Sequence, residues 1–344
     1  MPSSRSFGFA IGVSAVAALL AGCAAGGSPS KGDTPGTLPG AASVQRAARF
    51  GAFNMLTARV VAKPVHPSAG GSWPAISERG ARIFVSDAAD ETINFYGYKS
   101  LKLIGMITGL SEPQGMCDHK KTVWVANTGG SDLIHYSAAG KVIGTLPDAG
   151  EYPVSCALDR QGDLAAANII STNSGPGSVS IWKHATGNPT NYPLPDGGRA
   201  YFTAYDARGN LYVDGSSESG AFVLYELPKG GSTFVPLTVD GATINFPGGL
   251  QYAYNALVIG DQGGSSGHSI VYQTHVSGKT ATVVGTTEFD DALDAVQTCI
   301  TPFGTIIVPD AASAEVQIYA YPAGGNPIHT IEGFGQPIGC AFTP

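Results

Sequence analysis

From about residue 79 onward the chain is a succession of short apolar runs with alternating small or polar positions, separated by stretches in which Gly, Asp, Asn and Ser recur. A period of two with turn residues at the ends predicts strands rather than helices. Five of these runs stop at a carboxylate or a carboxamide: IFVSD at Asp87, VWVAN at Asn127, LAAAN at Asn168, LVIGD at Asp261 and IIVPD at Asp310. A sixth, LYVDG, carries Asp214 one position early and has Gly215 in the aligned place. Each is followed by a run that closes on an aromatic, at Tyr96, Tyr136, Trp182, Tyr225, Tyr272 and Tyr319. A further apolar run comes after these, as in KLIGMI, KVIGTL, STFVPLTV and NPIHTI. The units are separated by segments that start near a proline and run into small or apolar residues: EPQGMC, YPVSC, AYFTA, FPGGL, AVQTC and QPIGC.

Four strands per unit, repeated radially, predict an all-β fold: a six-bladed β-propeller with four-stranded antiparallel blades over residues 79–344. The ends of the repeat sharpen this. The first unit begins at its second strand, ARIFVSD, without an inner strand, and the chain finishes on an unpartnered inner strand, QPIGCAFTP. Joining the two completes one blade and closes the ring, which removes the edges an open array would leave.

The pattern ahead of residue 79 is different. Arg5 precedes an apolar run, Phe7 to Leu20, that is too short to span a bilayer and reads as an export signal. Its end, Leu20-Ala21-Gly22-Cys23, resembles the lipobox of bacterial lipoproteins. That resemblance implies a signal peptide over residues 1–22 and a diacylglycerol on the Cys23 thiol. It also implies an exported chain anchored to a membrane of a bacterial cell envelope. Ala24 is not the aspartate that marks retention at the inner membrane, which favours the outer membrane or cell surface. Residues 23–78 form the expected linker: AAGGSPSKGDTPGTLPGAAS is too poor in large apolar residues to fold, while Val44 to Lys63 suggests a short helix.

Composition narrows the choice of partner. Charged residues make up 13% of the 344, the net charge is −7, and no Lys/Arg cluster is present that could neutralise a run of phosphates, so nucleic acid is excluded as a partner. The seven histidines are scattered without metal-ligand spacing. Gly263 to Gly267 spells G-x-S-x-G, but between two strands of one blade rather than on the strand-to-helix turn a nucleophile elbow needs.

An Asp or Asn ending the second strand, followed by a turn and an aromatic-ended strand, resembles the NHL-repeat propellers and, more distantly, the gluconolactonase and regucalcin-like group. Asp87, Asn127, Asn168, Asp261 and Asp310 recur in nearly every blade, which marks them as structural turn residues whose side chains bond nearby backbone N–H groups. A less symmetric set precedes the inner strands and is expected to rim the mouth of the channel on the same face: Glu112, Glu151, Arg199, Asn245, Asp294 and Gln336. Its acidic members are of the kind that bind Ca²⁺, but no loop has Asp-x-Asp-x-Asp spacing, so no cofactor is assigned and solvated rim charge is expected. The same holds for Glu288, Asp290 and Asp291 beside Asp294. The gluconolactonase resemblance implies a glutamate, an asparagine and an aspartate around a divalent metal. Asn168 and Asp214 or Asp261 could be offered, but no local match is strong enough to transfer a catalytic residue.

Cys117, Cys156, Cys299 and Cys340 fall at or near one inner-strand position in blades 2, 3, 6 and 1. They are either disulfides, with Cys117 to Cys156 and Cys299 to Cys340 stapling neighbouring blades, or reduced core residues; we favour the reduced form. The functional expectation is a lipid-tethered binding or scaffold module facing an envelope protein or glycan. The alternative is a metal-dependent hydrolase or lactonase. Gly/Ser-rich loops after Asn168, Asp214 and Asp261 distinguish blades 3 to 5 on one face.

Overall fold

Blade 1 shows how the ring is made. Its inner strand is the last of the chain, β25 (Pro337–Thr343), which pairs antiparallel with β2 (Arg82–Asp87), followed outward by β3 (Thr92–Gly97) and β4 (Leu103–Ile107). The register sets Arg82 opposite Thr343 and Val85 opposite Cys340, so the two ends of the repeat share one sheet. This computed structural model describes residues 60, 61 and 80–344 except 265. The signal peptide, Cys23 and the rest of the linker lie outside the described residues. Within the stretch expected to form a helix, β1 (Val60–Val61) is instead a strand, pairing with β4 at the outer edge of blade 1.

The other blades follow the predicted order. Blade 2 is β5 (Pro113–His119), β6 (Thr122–Asn127), β7 (Asp132–Ser137) and β8 (Val142–Pro147). Blade 3 is β9 (Glu151–Leu158), β10 (Leu164–Ser171), β11 (Ser178–Trp182) and β12 (Thr190–Pro193). Blade 4 is β13 (Arg199–Tyr205), β14 (Leu211–Ser216), β15 (Phe222–Leu227) and β16 (Val235–Asp240). Blade 5 is β17 (Pro247–Ala253), β18 (Ala256–Asp261), β19 (Ile270–Ser277) and β20 (Thr280–Glu288). Blade 6 is β21 (Cys299–Ile300), β22 (Thr305–Asp310), β23 (Glu315–Ala320) and β24 (His329–Ile331). The inner strands β25, β5, β9, β13, β17 and β21 contact one another in succession around the ring. One departure from simple repetition lies at the periphery: β16 and β20 pair in parallel through Thr238 and Thr280, so blades 4 and 5 cover each other's outer edges.

The alternation in the sequence becomes the glue between blades, because successive strand residues face opposite neighbours. Ile83 and Val85 pack toward blade 6, among Ile307, Val316 and Ile318, whereas Phe84 between them packs toward blade 2, with Met116 and Val123. Six apolar clusters result, one at each blade junction. The repeated aromatic has a constant job: Tyr96, Tyr136, Trp182, Tyr225, Tyr272 and Tyr319 each join the cluster shared with the preceding blade. Near the axis the inner strands come so close that side chains are excluded. A Cβ on Gly115 would stand 2.6 Å from Val154 O, and one on Gly339 would stand 2.7 Å from Gln114 O.

Candidate functional site

On the face where the inner strands begin, the two sets of polar residues expected from the sequence meet. Asp87 accepts the backbone N–H groups of Gly335 and Gln336 at 2.7 and 2.8 Å. Asp261 accepts those of Asn245 and Phe246 at 3.1 and 3.0 Å, and Asp310 those of Leu293 and Asp294 at 3.2 and 2.9 Å. Asn127 accepts from Ser111 at 2.7 Å. The carboxylates do bond their own turns, as in Gly263 N–H to Asp261 and Ala312 N–H to Asp310 at 3.0 and 3.1 Å. Their larger role is to hold the segment that enters the inner strand of the same blade. Blade 4 shows why Asp214 comes early: a Cβ at Gly215 would overlap Arg199 O, so the acid moves back one residue and accepts Phe202 N–H at 3.0 Å.

The rim residues therefore divide. Asn245 is exposed, and Glu112, Arg199 and Gln336 are half-buried. Burial holds the Glu112 carboxyl up at about 7, with Glu91 nearby adding to the rise. The acidic patch before blade 6 splits too: Glu288, Asp290 and Asp291 are solvated as expected, but Asp294 is turned inward, its pKa raised to about 6 by burial and by Asp310. Glu151 joins a separate buried polar cluster in blade 3, described below. The G-x-S-x-G string falls in the β18–β19 connection, with its Ser265 outside the described residues.

At the opposite end of the inner strands the axis opens into a cavity of about 360 Å³. Its wall includes Asp118, Thr203, Tyr205, Gln251, Tyr252 and Gln297. Asp118 is open to water there, yet protein surrounds it; the loss of bulk solvation pushes its carboxyl up to about 7 despite a bond from the Phe342 backbone. Two glutamines brace the wall by imitating strand pairing. Gln297 Oε1 accepts Met116 N–H at 2.8 Å while its Nε2 donates to Met116 O at 2.9 Å. Gln251 does the same to Ile300, at 2.7 and 3.1 Å. These clamps compensate for β21, which pairs over only Cys299–Ile300.

The cysteines also line this cavity. Here the favoured reduced form gives way: Cys117 is bonded to Cys156 and Cys299 to Cys340, with Cα separations of 5.5 and 6.0 Å. A register offset explains the pairing. Cys117 and Cys299 lie opposite Trp124 and Ile307, three residues before the strand-end Asn127 and Asp310, whereas Cys156 and Cys340 lie opposite Ala166 and Val85, two residues before Asn168 and Asp87. One position of offset turns each partner toward the other across a blade junction.

Asp118 and the two glutamines were not anticipated. The one signal for Asp118 is a charge directly after the cysteine of EPQGMC; the glutamines carry no local signal, since their partners are 181 and 49 residues away.

No family model matches the chain, and no curated protein matches it. Solved structures do. The chain is similar to one from the nidogen/laminin complex, with 12% identity, 77% of this chain and 98% of that one covered, and a TM-score of 0.58. It is also similar to a protein of unknown function from Bacteroides caccae, with 10% identity, coverage of 76% and 98%, and a TM-score of 0.58. A catalytically inactive virginiamycin B lyase from Staphylococcus aureus with quinupristin matches at 12% identity, coverage of 82% and 92%, and a TM-score of 0.52. Together with the closed ring of four-stranded sheets these matches define the chain as a β-propeller. At such identities the likeness is one of fold.

Proposed function

We propose that this is an exported, lipid-anchored propeller acting as a binding or scaffold module of a bacterial cell envelope, with a protein or glycan as its partner. The observation that carries the reading is the uneven crest of one face. The connections between second and third strands are 88–91, 128–131 and 311–314 in blades 1, 2 and 6, but 172–177, 217–221 and 262–269 in the contiguous blades 3, 4 and 5. Larger loops on a rigid ring are where recognition is normally built. One matched chain comes from a protein–protein complex, that of nidogen with laminin, which is in keeping with this reading. For the hydrolase alternative, the described residues lining the axial cavity offer one carboxylate, Asp118, where the gluconolactonase-like resemblance implies a set of three side chains.

The test is crosslinking and capture from an envelope extract, using the full chain and a variant with 172–177, 217–221 and 262–269 shortened. A partner captured by the full chain and lost on shortening supports the reading; equal capture by both overturns it. Cys23→Ser is expected to move the protein from the membrane fraction to the soluble one.

A further inference from the structure

The junction of blades 2 and 3 changes character along its height. Leu164 and Ala166 on β10, and Trp182 on β11, face blade 2 and pack with Trp124, Leu133, Leu146 and Cys156. The next residues on those same faces, toward the loop crest, are Asn168 on β10 and then Ser180 and Ser178 on β11. The apolar wall therefore ends in a carboxamide and two hydroxyls. The turn from blade 2 into blade 3 delivers two carboxylates to meet them. Closed by Glu151 N–H to Asp148 O at 3.0 Å with Gly150 at a φ of +90°, it carries Asp148 just after β8 and Glu151 as the first residue of β9.

The groups form one network. Ser180 Oγ donates to Asp148 Oδ1 at 2.7 Å, and Asn168 Nδ2 donates to the Ser178 and Ser180 hydroxyls at 3.1 and 3.0 Å. From the solvent side, Asn191 Nδ2 donates to Glu151 Oε1 at 3.1 Å and to Ser178 Oγ at 2.8 Å. Three buried oxygens in this space have no donor: Asp148 Oδ2, Glu151 Oε2 and Asn168 Oδ1. Asp148 and Asn168 are 1% and 0% exposed, so water does not serve those two side chains freely. Among the described residues, no Lys or Arg forms an ion pair with either carboxylate. The strand-end position of this blade also differs from its counterparts. Asp87, Asn127, Asp261 and Asp310 each receive backbone N–H groups at the matching strand end, and Asn168 receives none.

Negative charge, a set of oxygens without nitrogen or sulfur acceptors, and lone pairs left empty in a buried space are the requirements of a hard divalent cation, which takes six to eight oxygens in the case of Ca²⁺. We propose that Asp148, Glu151, Asn168, Ser178 and Ser180, with Asn191 at the solvent edge, form a calcium site that ties the exit turn of blade 2 to the hairpin of blade 3. The site is independent of what the loop crest binds. Its chemistry is structural: the ion satisfies the three idle oxygens and fixes the base of loop 172–177, whose Thr172 N–H already bonds Gly150 O at 2.8 Å.

The experiment uses the full chain stripped with chelator and titrated with CaCl₂ by calorimetry, and with TbCl₃ by luminescence. Trp182 shares a strand face with Ser180 and is the expected sensitiser for Tb³⁺. Saturable uptake of one ion per chain is expected. The midpoint of thermal unfolding should rise by roughly 5 °C or more at calcium a hundredfold above its dissociation constant. Glu151→Gln and Asp148→Asn should each weaken binding at least about tenfold, while Asp294→Asn, a buried acid of blade 6, should leave it unchanged. The proposal is overturned if neither ion binds saturably to the native chain, if the Glu151→Gln protein binds as tightly as the native one, or if Mg²⁺ binds more tightly than Ca²⁺. Glu151 is half-buried and the change is isosteric, so this variant remains a test even if Asp148→Asn fails to fold.

Discussion

The carboxylate of Asp87 holds the backbone of Gln336, 249 residues away in sequence, through an N–H···Oδ1 bond of 2.8 Å, and Ala88 N–H returns a bond of 3.0 Å to Gln336 O. With Gly335 N–H on the other carboxylate oxygen, this exchange fastens the entry of the last strand onto the first blade. Asp87→Ala removes the acceptor of three part-buried backbone N–H groups, those of Asp90, Gly335 and Gln336, so it should cost about 2–3 kcal/mol. Asp87→Asn keeps one acceptor oxygen and should cost about half of that. Urea unfolding with an unchanged slope would measure both; an Ala variant as stable as the native chain would show that the strand pairing alone closes the ring.

The two disulfides reinforce different junctions. Cys299–Cys340 secures the closing strand β25 to blade 6, and Cys117–Cys156 joins blades 2 and 3, with sequence separations of 41 and 39. Loops of that length correspond to roughly 4 kcal/mol per bridge in the chain-entropy treatment. Under denaturing conditions without reductant none of these four cysteines should react with a thiol label, and all four should react after reduction. The Cys299→Ser/Cys340→Ser double variant should be the less stable of the two double variants, because it also frees the closing strand to detach from its neighbour.

The fold was legible because a propeller repeats its signals. The Asp or Asn at each strand end, the aromatic that packs on the preceding blade and the unmatched terminal strands are all local patterns, and local patterns survive in a linear reading. The cysteine pairing was half legible: shared inner-strand positions were visible, and Cys117 follows Pro113 by four residues where Cys156 and Cys340 follow Pro153 and Pro337 by three, but which neighbour each sulfur faces follows only from the strand register. The axial cavity was not legible. Gln297 and Met116 are brought together by closure of the ring, and nothing around either residue announces the contact. Asp148 was likewise missed, because a single acid in a turn looks solvated until the neighbouring blade is set against it.

Asp118 gives stability a definite slope with pH. Its pKa in the folded chain is raised from the ordinary 3.8 to about 7, so between those values the folded state keeps a proton that the unfolded state has released. Stability therefore falls as pH rises through that interval and levels off above it. Glu112, raised to about 7, and Asp132 and Asp294, raised to about 6, act in the same sense. The chain should melt at a higher temperature at pH 5 than at pH 8. Asp118→Asn should narrow the difference by raising the melting temperature at pH 8. A native chain that is more stable at pH 8 would refute the assignment.

Gln297 should be the most sensitive uncharged side chain of the axial wall. Its amide supplies both halves of a strand-like exchange with Met116, and its Oε1 is so close to Gly339 that a Cβ there would stand 2.7 Å away. Gln297→Ala leaves Met116 N–H and O without their partners in a confined space and should cost about 2–3 kcal/mol. Gln297→Glu retains the acceptor for Met116 N–H but sets a carboxylate against Met116 O, so its penalty should grow as pH rises and the acid ionises. Gly339→Ala attacks the same contact from the other side, since the methyl group meets Gln114 O at 2.7 Å as well as the amide of Gln297. If Gly339→Ala strains the wall mainly through Gln297, combining it with Gln297→Ala should cost less than the sum of the two single changes, by 0.5 kcal/mol or more on the usual scale of coupled neighbours. Strict additivity in urea unfolding would instead assign the strain to the approach of the two inner-strand backbones.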